Sequence, residues 1–222
     1  MMNEQYTEMH EIKRLCYIDM LRDEAWGDIY GETWTFENAG VMTDSLRKTK
    51  IYAEEWDSVS REGIGLILVG DVGTGKSYAA GCIANELLDH MKSVRFVRMV
   101  DVVNDLQGCY GEDREKYYKH IMSPELLIID DLGAERDTAF AQECVFEVIE
   151  HRISTGKPII ITTNIPVHTM RNAKHIAERR IYDRILACCV PILFDGVNFR
   201  KNIAAEKTKK AKQLFDMDTH IE

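Results

Sequence analysis

Eight consecutive residues carry the clearest chemistry in this chain: Gly70-Asp71-Val72-Gly73-Thr74-Gly75-Lys76-Ser77. They match the spacing G-x-x-x-x-G-K-[ST], a phosphate-binding loop, and the residue types explain themselves. Glycines let the backbone curl so that successive N–H groups converge on one anion. The helix that follows adds the partial positive charge of its N-terminus. Lys76 is placed to reach the β- and γ-phosphates of a nucleotide, and the Ser77 hydroxyl is a ligand for Mg²⁺. The expected nucleotide-binding residues are thus Gly70, Asp71, Val72, Gly73, Thr74, Gly75, Lys76, Ser77 and the adjoining Tyr78.

Two further segments supply what a phosphate cradle lacks. Leu126-Leu127-Ile128-Ile129 is an apolar run ending in Asp130 and Asp131, the pattern of a Walker B strand. Asp130 is expected to hold Mg²⁺ through its water shell, and Asp131 to orient or deprotonate the attacking water. Ile159-Ile160-Ile161-Thr162-Thr163-Asn164 is a second apolar run with a polar end. Asn164 is the candidate to sense the γ-phosphate and position water, with Thr163 as the alternative. ATP and Mg²⁺ are the implied cofactors, and Ser77 and Asp130 the metal-holding pair.

Strands and helices must alternate to bring these segments together. Residues 66–69, 94–97, 126–129, 158–162 and 191–194 read as short apolar strands. Between them, 76–90, 100–107, 113–121, 138–154 and 174–187 read as helices, the fourth with Phe140, Cys144, Val145, Val148 and Ile149 inward. Fully apolar strands alternating with helices predict an α/β fold, a parallel five-stranded sheet covered on both faces. Upstream, 44–61 reads as one amphipathic helix with Leu46, Ile51, Tyr52 and Trp56 inward, and 1–32 as a short acidic helix outside the main core.

Bulk composition bounds the function classes. The chain has 222 residues, 45% hydrophobic and 29% charged, enough for one sizeable core. Its net charge of −9 disfavours capture of DNA by the whole surface. The charge is uneven: residues 1–32 carry eight acids against three bases, and 200–212 six bases against one acid. Six cysteines without a C-x-x-C pair argue against zinc ribbons and fit a reducing cytosol, and Cys82 and Cys144 read as buried thiols. A polar, acidic N-terminus and short apolar runs predict a cytoplasmic protein with no membrane span.

Three segments taken together resemble AAA+ ATPases of the DnaC/DnaI helicase-loader type, related to IstB-like ATP-binding proteins. They are Gly65–Ser77, Leu127–Glu135 with its Asp-Asp-Leu-Gly-Ala-Glu run, and Ile161–Asn164. Trp34-Thr35-Phe36-Glu37-Asn38 and Ile181-Tyr182-Asp183-Arg184-Ile185 extend the likeness to about residues 34–200. The resemblance implies a P-loop NTPase fold with a reduced C-terminal lid, an acidic arm and linker over 1–43, and an ATPase domain over 44–222 ending in a basic helix. It implies that Arg184 is an arginine finger reaching a neighbouring subunit, with Arg180 the alternative, and that Arg200 touches the nucleotide of its own subunit. Hydrolysis then needs a homo-oligomer. Many AAA+ proteins have Glu where this chain has Asp131, so slow turnover is expected. Family members face single-stranded DNA with helices after the second strand, here 100–122, where Lys116, Tyr117 and Lys119 are the candidates; aromatics stack on bases while cations hold phosphates.

The leading expectation is therefore an ATP-hydrolysing helicase loader of phage or mobile-element type. It would assemble on single-stranded DNA and deliver a DnaB-type replicative helicase. Two alternatives stay open: an IstB-like transposition helper binding duplex DNA, and a nucleotide-gated adaptor with negligible turnover.

Overall fold

A computed structural model describes residues 2–29, 31–196 and 198–215, with side-chain surroundings throughout those ranges except 2–9, 202–203 and 213–215. Three helices, α1 (Met2–Trp26), α2 (Asp44–Glu54) and α3 (Trp56–Arg61), precede the first strand. Then β1 (Gly65–Gly70), α4 (Lys76–Asp89), β2 (Val94–Arg98), α5 (Met99–Gly108), α6 (Glu112–Met122), β3 (Leu126–Leu132), α7 (Ala139–Ser154) and β4 (Ile159–Thr163) follow. The chain continues through α8 (Val167–Arg171), α9 (Ile176–Cys188), β5 (Cys189–Phe194) and α10 (Phe199–Phe215). The strands expected from the apolar runs are all present, with ends that differ by at most three residues.

All five strands are parallel, in the order β2-β3-β4-β1-β5. Side chains of a strand alternate between faces, and the core divides accordingly. Leu66, Leu68, Leu126, Ile128 and Ile160 face α1–α4, while Ile67, Val69, Leu127, Ile129 and Ile161 face α5, α6, α7 and α9. Helices thus cover both faces, as the apolar strands require. Because β1 connects to distant β2 while β4 connects past β1 to β5, crossovers leave in opposite directions from the C-terminal ends of β1 and β4. In such sheets ligands bind at this switch point.

Three expectations need correction. The N-terminal helix does not lie outside the core. Ile18, Leu21, Ala25 and Trp26 of α1 are buried, and the Trp26 ring packs on Phe96 of β2 at 5.0 Å and edge-on to Trp34 at 5.9 Å. Its net acidity concealed one apolar face that α4 and β2 cover. Second, the helix expected over 44–61 breaks at Glu55 (φ −91°, ψ 21°) into α2 and α3. The break turns Trp56 edge-on to Tyr52, both buried, and leaves Ile51 half-exposed at 51% instead of inward. Third, Phe140 is only partly buried, whereas Cys144, Val145, Val148 and Ile149 are inward as expected.

A buried cation locks the other end of the sheet. Arg152 of α7 is fully buried, and its guanidinium donates to the carbonyls of Pro158 (2.7 and 3.0 Å), Met122 (3.1 Å), Pro124 (2.9 Å) and Glu125 (2.6 Å). These backbone acceptors precede β3 and β4, so one side chain aligns the starts of both strands. Burial lowers its pKa to about 10. Among the described residues, no helix is long and apolar enough to cross a membrane.

Candidate functional site

The phosphate-binding loop joins β1 to α4 at the switch point. Gly70 has no room for a side chain, since a Cβ there would lie 2.0 Å from the Phe194 carbonyl oxygen of β5. Gly73 (φ 84°) and Gly75 (φ 96°) take left-handed backbone that other residues resist. The Thr74 hydroxyl closes the turn by donating to Asp71 O at 2.8 Å. α4 starts at Lys76 behind Gly75 with no side-chain cap, so no residue competes for its first-turn N–H groups as a cap would. This is the donor array a phosphate needs.

Lys76 is buried, and its Nζ donates to Gly70 O, Asp71 O and Asn164 Oδ1, each at 2.8 Å. Burial lowers its pKa, against the opposing pull of Asp131 and Asp130; the Arg200 guanidinium lowers it further. The Lys76–Asn164 bond joins the loop to the tip of β4. It also separates the two residues left open at that tip. Thr163 is fully buried, its hydroxyl donating to Leu132 O at 2.7 Å and accepting from Ile165 N at 3.1 Å, whereas Asn164 faces the loop.

The acids occupy the end of β3. Asp130 is buried, and its Oδ1 accepts from the Thr162 hydroxyl at 2.6 Å. Burial raises the Asp130 pKa, opposed by Thr162 and Ser77, with Asp131 adding to the rise and Lys76 reducing it. The register of β3 with β4 slips between Ile129 and Leu132, and Asp131 has φ 54°. Such a bulge re-aims side chains at a strand end, and aspartate tolerates the conformation better than most residues. The Asp131 N–H donates to the Thr162 hydroxyl at 2.9 Å. One buried hydroxyl therefore holds both acids. Ser77 and Asp130, close enough that the Ser77 hydroxyl lowers the Asp130 pKa, form an all-oxygen donor pair, which suits a hard cation such as Mg²⁺.

Other expected residues lie elsewhere. Tyr78 faces the segment before α2: its hydroxyl donates to Thr35 O at 2.7 Å, its ring lies 6.4 Å from Trp34, and burial pushes its pKa up to about 12. Arg184 is on α9, 55% exposed and paired with Glu150 of α7 at 3.2 Å, not with the loop. Arg180 lies over the Phe146 ring at 4.7 Å. Arg200 opens α10, with its charge felt at Lys76.

The stretch expected to face DNA is more structural than its composition suggests. Tyr117 is half-buried, with its hydroxyl donating to Asp105 at 3.1 Å. Tyr118 is buried, bonded to Glu147 and stacked on His151 at 4.7 Å. Lys116 is exposed between Glu112 (3.8 Å) and Asp113 (3.5 Å), and Lys119 is exposed. The prominent aromatic is instead Tyr110, 80% exposed ahead of α6.

Two residues of the site were not singled out from sequence. Thr162 lies on β4 two positions before Asn164 and faces the neighbouring β3; a polar residue in a buried strand was the available signal. Asn198 donates from Nδ2 to Val72 O at 2.8 Å, and the next residue, Phe199, donates its N–H to Gly73 O at 2.9 Å. Nothing local links 198 to 72.

Several known proteins are similar to this chain. The sequence profile described as "IstB-like ATP binding protein" matches residues 52–207. The replicative helicase loader DnaC of Escherichia coli (strain K12) is 25% identical over 180 residues, covering 79% of this chain and 71% of DnaC. The replicative helicase loader DnaI of Bacillus subtilis (strain 168) is 29% identical over 150 residues, 63% of this chain and 48% of DnaI. A crystal structure of DnaI superimposes with a TM-score of 0.63 at 23% identity, covering 76% of this chain and 92% of that one. One of the DnaC helicase loader does so with 0.61 at 21%, covering 72% and 96%. The profile match runs through the phosphate loop, both acids, Asn164, Arg184 and the start of α10, and by it this chain belongs to the IstB-like ATP-binding protein family.

Proposed function

We propose that this protein is an ATP-hydrolysing helicase loader of the DnaC/DnaI kind, acting as a homo-oligomer on single-stranded DNA to deliver a DnaB-type replicative helicase. The observation that carries the catalytic part is the Lys76–Asn164 bond beside the Thr162-held acids. It draws the loop, β3 and β4 into one cluster at the sheet's C-terminal edge. The loader part rests on likeness to DnaC and DnaI.

In this reading, Lys76 exchanges its carbonyl and amide partners for phosphate oxygens, and the backbone amides of 73–77 hold the same phosphates. Mg²⁺, held by Ser77 and through water by Asp130, would supply positive charge at the β- and γ-oxygens. Asp131 accepts the proton of the attacking water, and Asn164 orients that water once released from Lys76. Arg184 lies exposed on α9, available to a neighbouring subunit's γ-phosphate. Lys119, Lys116 and the exposed Tyr110 form the DNA-facing set.

Nucleotide titration of Lys76→Ala tests the site: affinity should be lost, and unchanged affinity would sink the assignment. Arg184→Ala should bind nucleotide normally yet lose DNA-stimulated hydrolysis; full turnover refutes a finger at 184. Co-purification with a DnaB-type helicase tests the loader role. The family profile favours one second reading, a transposition helper. Preference for duplex over single strands, without helicase capture, would select it. Negligible turnover of the oligomer on DNA would select a nucleotide-gated adaptor.

A further inference from the structure

The start of α10 is fastened to the phosphate-binding loop from behind. Asn198 Nδ2 donates to Val72 O at 2.8 Å, and the Phe199 N–H donates to Gly73 O at 2.9 Å. Asn198 Oδ1 simultaneously accepts the Lys201 N–H at 3.1 Å, the bond of an N-cap. The third glycine of the loop has its explanation here: a Cβ on Gly73 would lie 2.3 Å from Asn198 Oδ1. Gly73 is not one of the two glycines the loop pattern demands, so its space is reserved for Asn198 as much as its φ of 84° is for the turn.

The direction of these bonds matters. In a planar trans peptide, C=O and N–H point opposite ways. Holding Val72 O turns the Gly73 N–H away from Asn198. Holding Gly73 O does the same for the Thr74 N–H. Both amides are thereby aimed to the other side of the loop, where a phosphate binds. We infer that Asn198, with the Phe199 N–H, is a positioning residue that pre-aims the loop amides at phosphate and couples nucleotide occupancy to the order of α10.

This inference rests on the loop being the nucleotide site. Asn198 itself touches no phosphate; it acts through Val72 and Gly73. Coupling is reciprocal: if ordered α10 favours phosphate binding, phosphate binding must favour ordered α10 by the same factor. Because α10 is basic (Lys207, Lys209, Lys210 and Lys212), the bonds also give nucleotide a route to a charged surface.

Asn198→Ser separates the loop contact from the helix cap. Serine is neutral and caps well, but its hydroxyl is too short to span from 198 to Val72 O. Asn198→Asp also keeps the cap while setting an acceptor against the Val72 carbonyl. Titration calorimetry with Mg·ADP on the full chain should show about five-fold weaker binding for Asn198→Ser, the worth of one ordinary hydrogen bond. Asn198→Asp should weaken binding at least as much. Hydrogen exchange should show that ADP protects amides 199–206 in the unsubstituted chain and fails to do so in Asn198→Ser. A role confined to folding would not move that nucleotide-dependent protection. Equal ADP affinity and equal protection in both chains overturn the inference. If either variant does not fold, absence of ADP-induced protection in the unsubstituted chain overturns it alone. Failure of the unsubstituted chain to bind ADP would reject the loop as nucleotide site, a distinguishable result.

Discussion

Thr162 offers the sharpest test of how the site is held. Its hydroxyl is fully buried, donates to Asp130 at 2.6 Å and accepts the Asp131 N–H at 2.9 Å. Thr162→Val keeps the shape and removes both bonds. Losing a hydrogen bond to a buried carboxylate costs about 1.5–3 kcal/mol, and orphaning the amide about 1–3 kcal/mol. The extra buried methyl returns about 1 kcal/mol. The net is a loss of about 1.5–5 kcal/mol, or a Tm fall of about 10 °C for a chain of this size. Urea unfolding at pH 7 measures it directly.

The penalty should also depend on pH in a definite direction. Burial already raises the Asp130 pKa above its ordinary 3.8, and removing the Thr162 donor raises it further. The folded state then binds the proton more tightly than the unfolded chain. Stability is present while Asp130 is protonated and lost as pH rises through the folded pKa. The Thr162→Val deficit should therefore shrink as pH falls from 7 toward the raised Asp130 pKa. Thr162→Ser, which keeps the hydroxyl, should lose only about 1 kcal/mol. A valine variant as stable as the unsubstituted chain, or a deficit flat across pH, would refute this account.

Asp130→Asn should stabilise the protein at pH 7 by about 1 kcal/mol, because a neutral amide still accepts from Thr162 without the buried charge; Mg²⁺-dependent nucleotide affinity should fall, and a lower Tm contradicts the reasoning. Arg152→Met removes the guanidinium from four backbone carbonyls and should cost about 3–5 kcal/mol, read as a Tm lowered by about 10 °C. Trp26→Ala should cost about 3–5 kcal/mol in urea unfolding, as expected of a core aromatic; a neutral effect would return α1 to a peripheral arm.

The outline of the candidate site was readable because its parts are local. A phosphate loop is contiguous, so spacing alone named Gly70 to Ser77. Asp130, Asp131 and Asn164 stand at the ends of apolar runs, where a buried strand meets solvent. Errors arose where a residue's role depends on another part of the chain. Trp26 was read as part of an acidic arm because residues 1–32 are acidic on average, and burial depends on one face. The Tyr117 bond to Asp105 was not legible either, because Asp105 lies on another helix. The 44–61 helix was read as continuous because a change of direction at Glu55 leaves the apolar pattern intact.

Residue order by itself determined the α/β alternation, the phosphate cradle and the strand-end acids. Each is a short-range pattern of size, polarity and backbone freedom. Tertiary structure decided which strands are neighbours. With β4 between β1 and β3, Asn164 meets Lys76 and Thr162 holds both aspartates. It also decided that Asn198, 126 positions after Val72, sits behind the loop. Hydrophobic burial can be read from a strand's own residues, but it is non-directional. Pairing order and hydrogen-bond partners are set only when the whole sheet closes around one core.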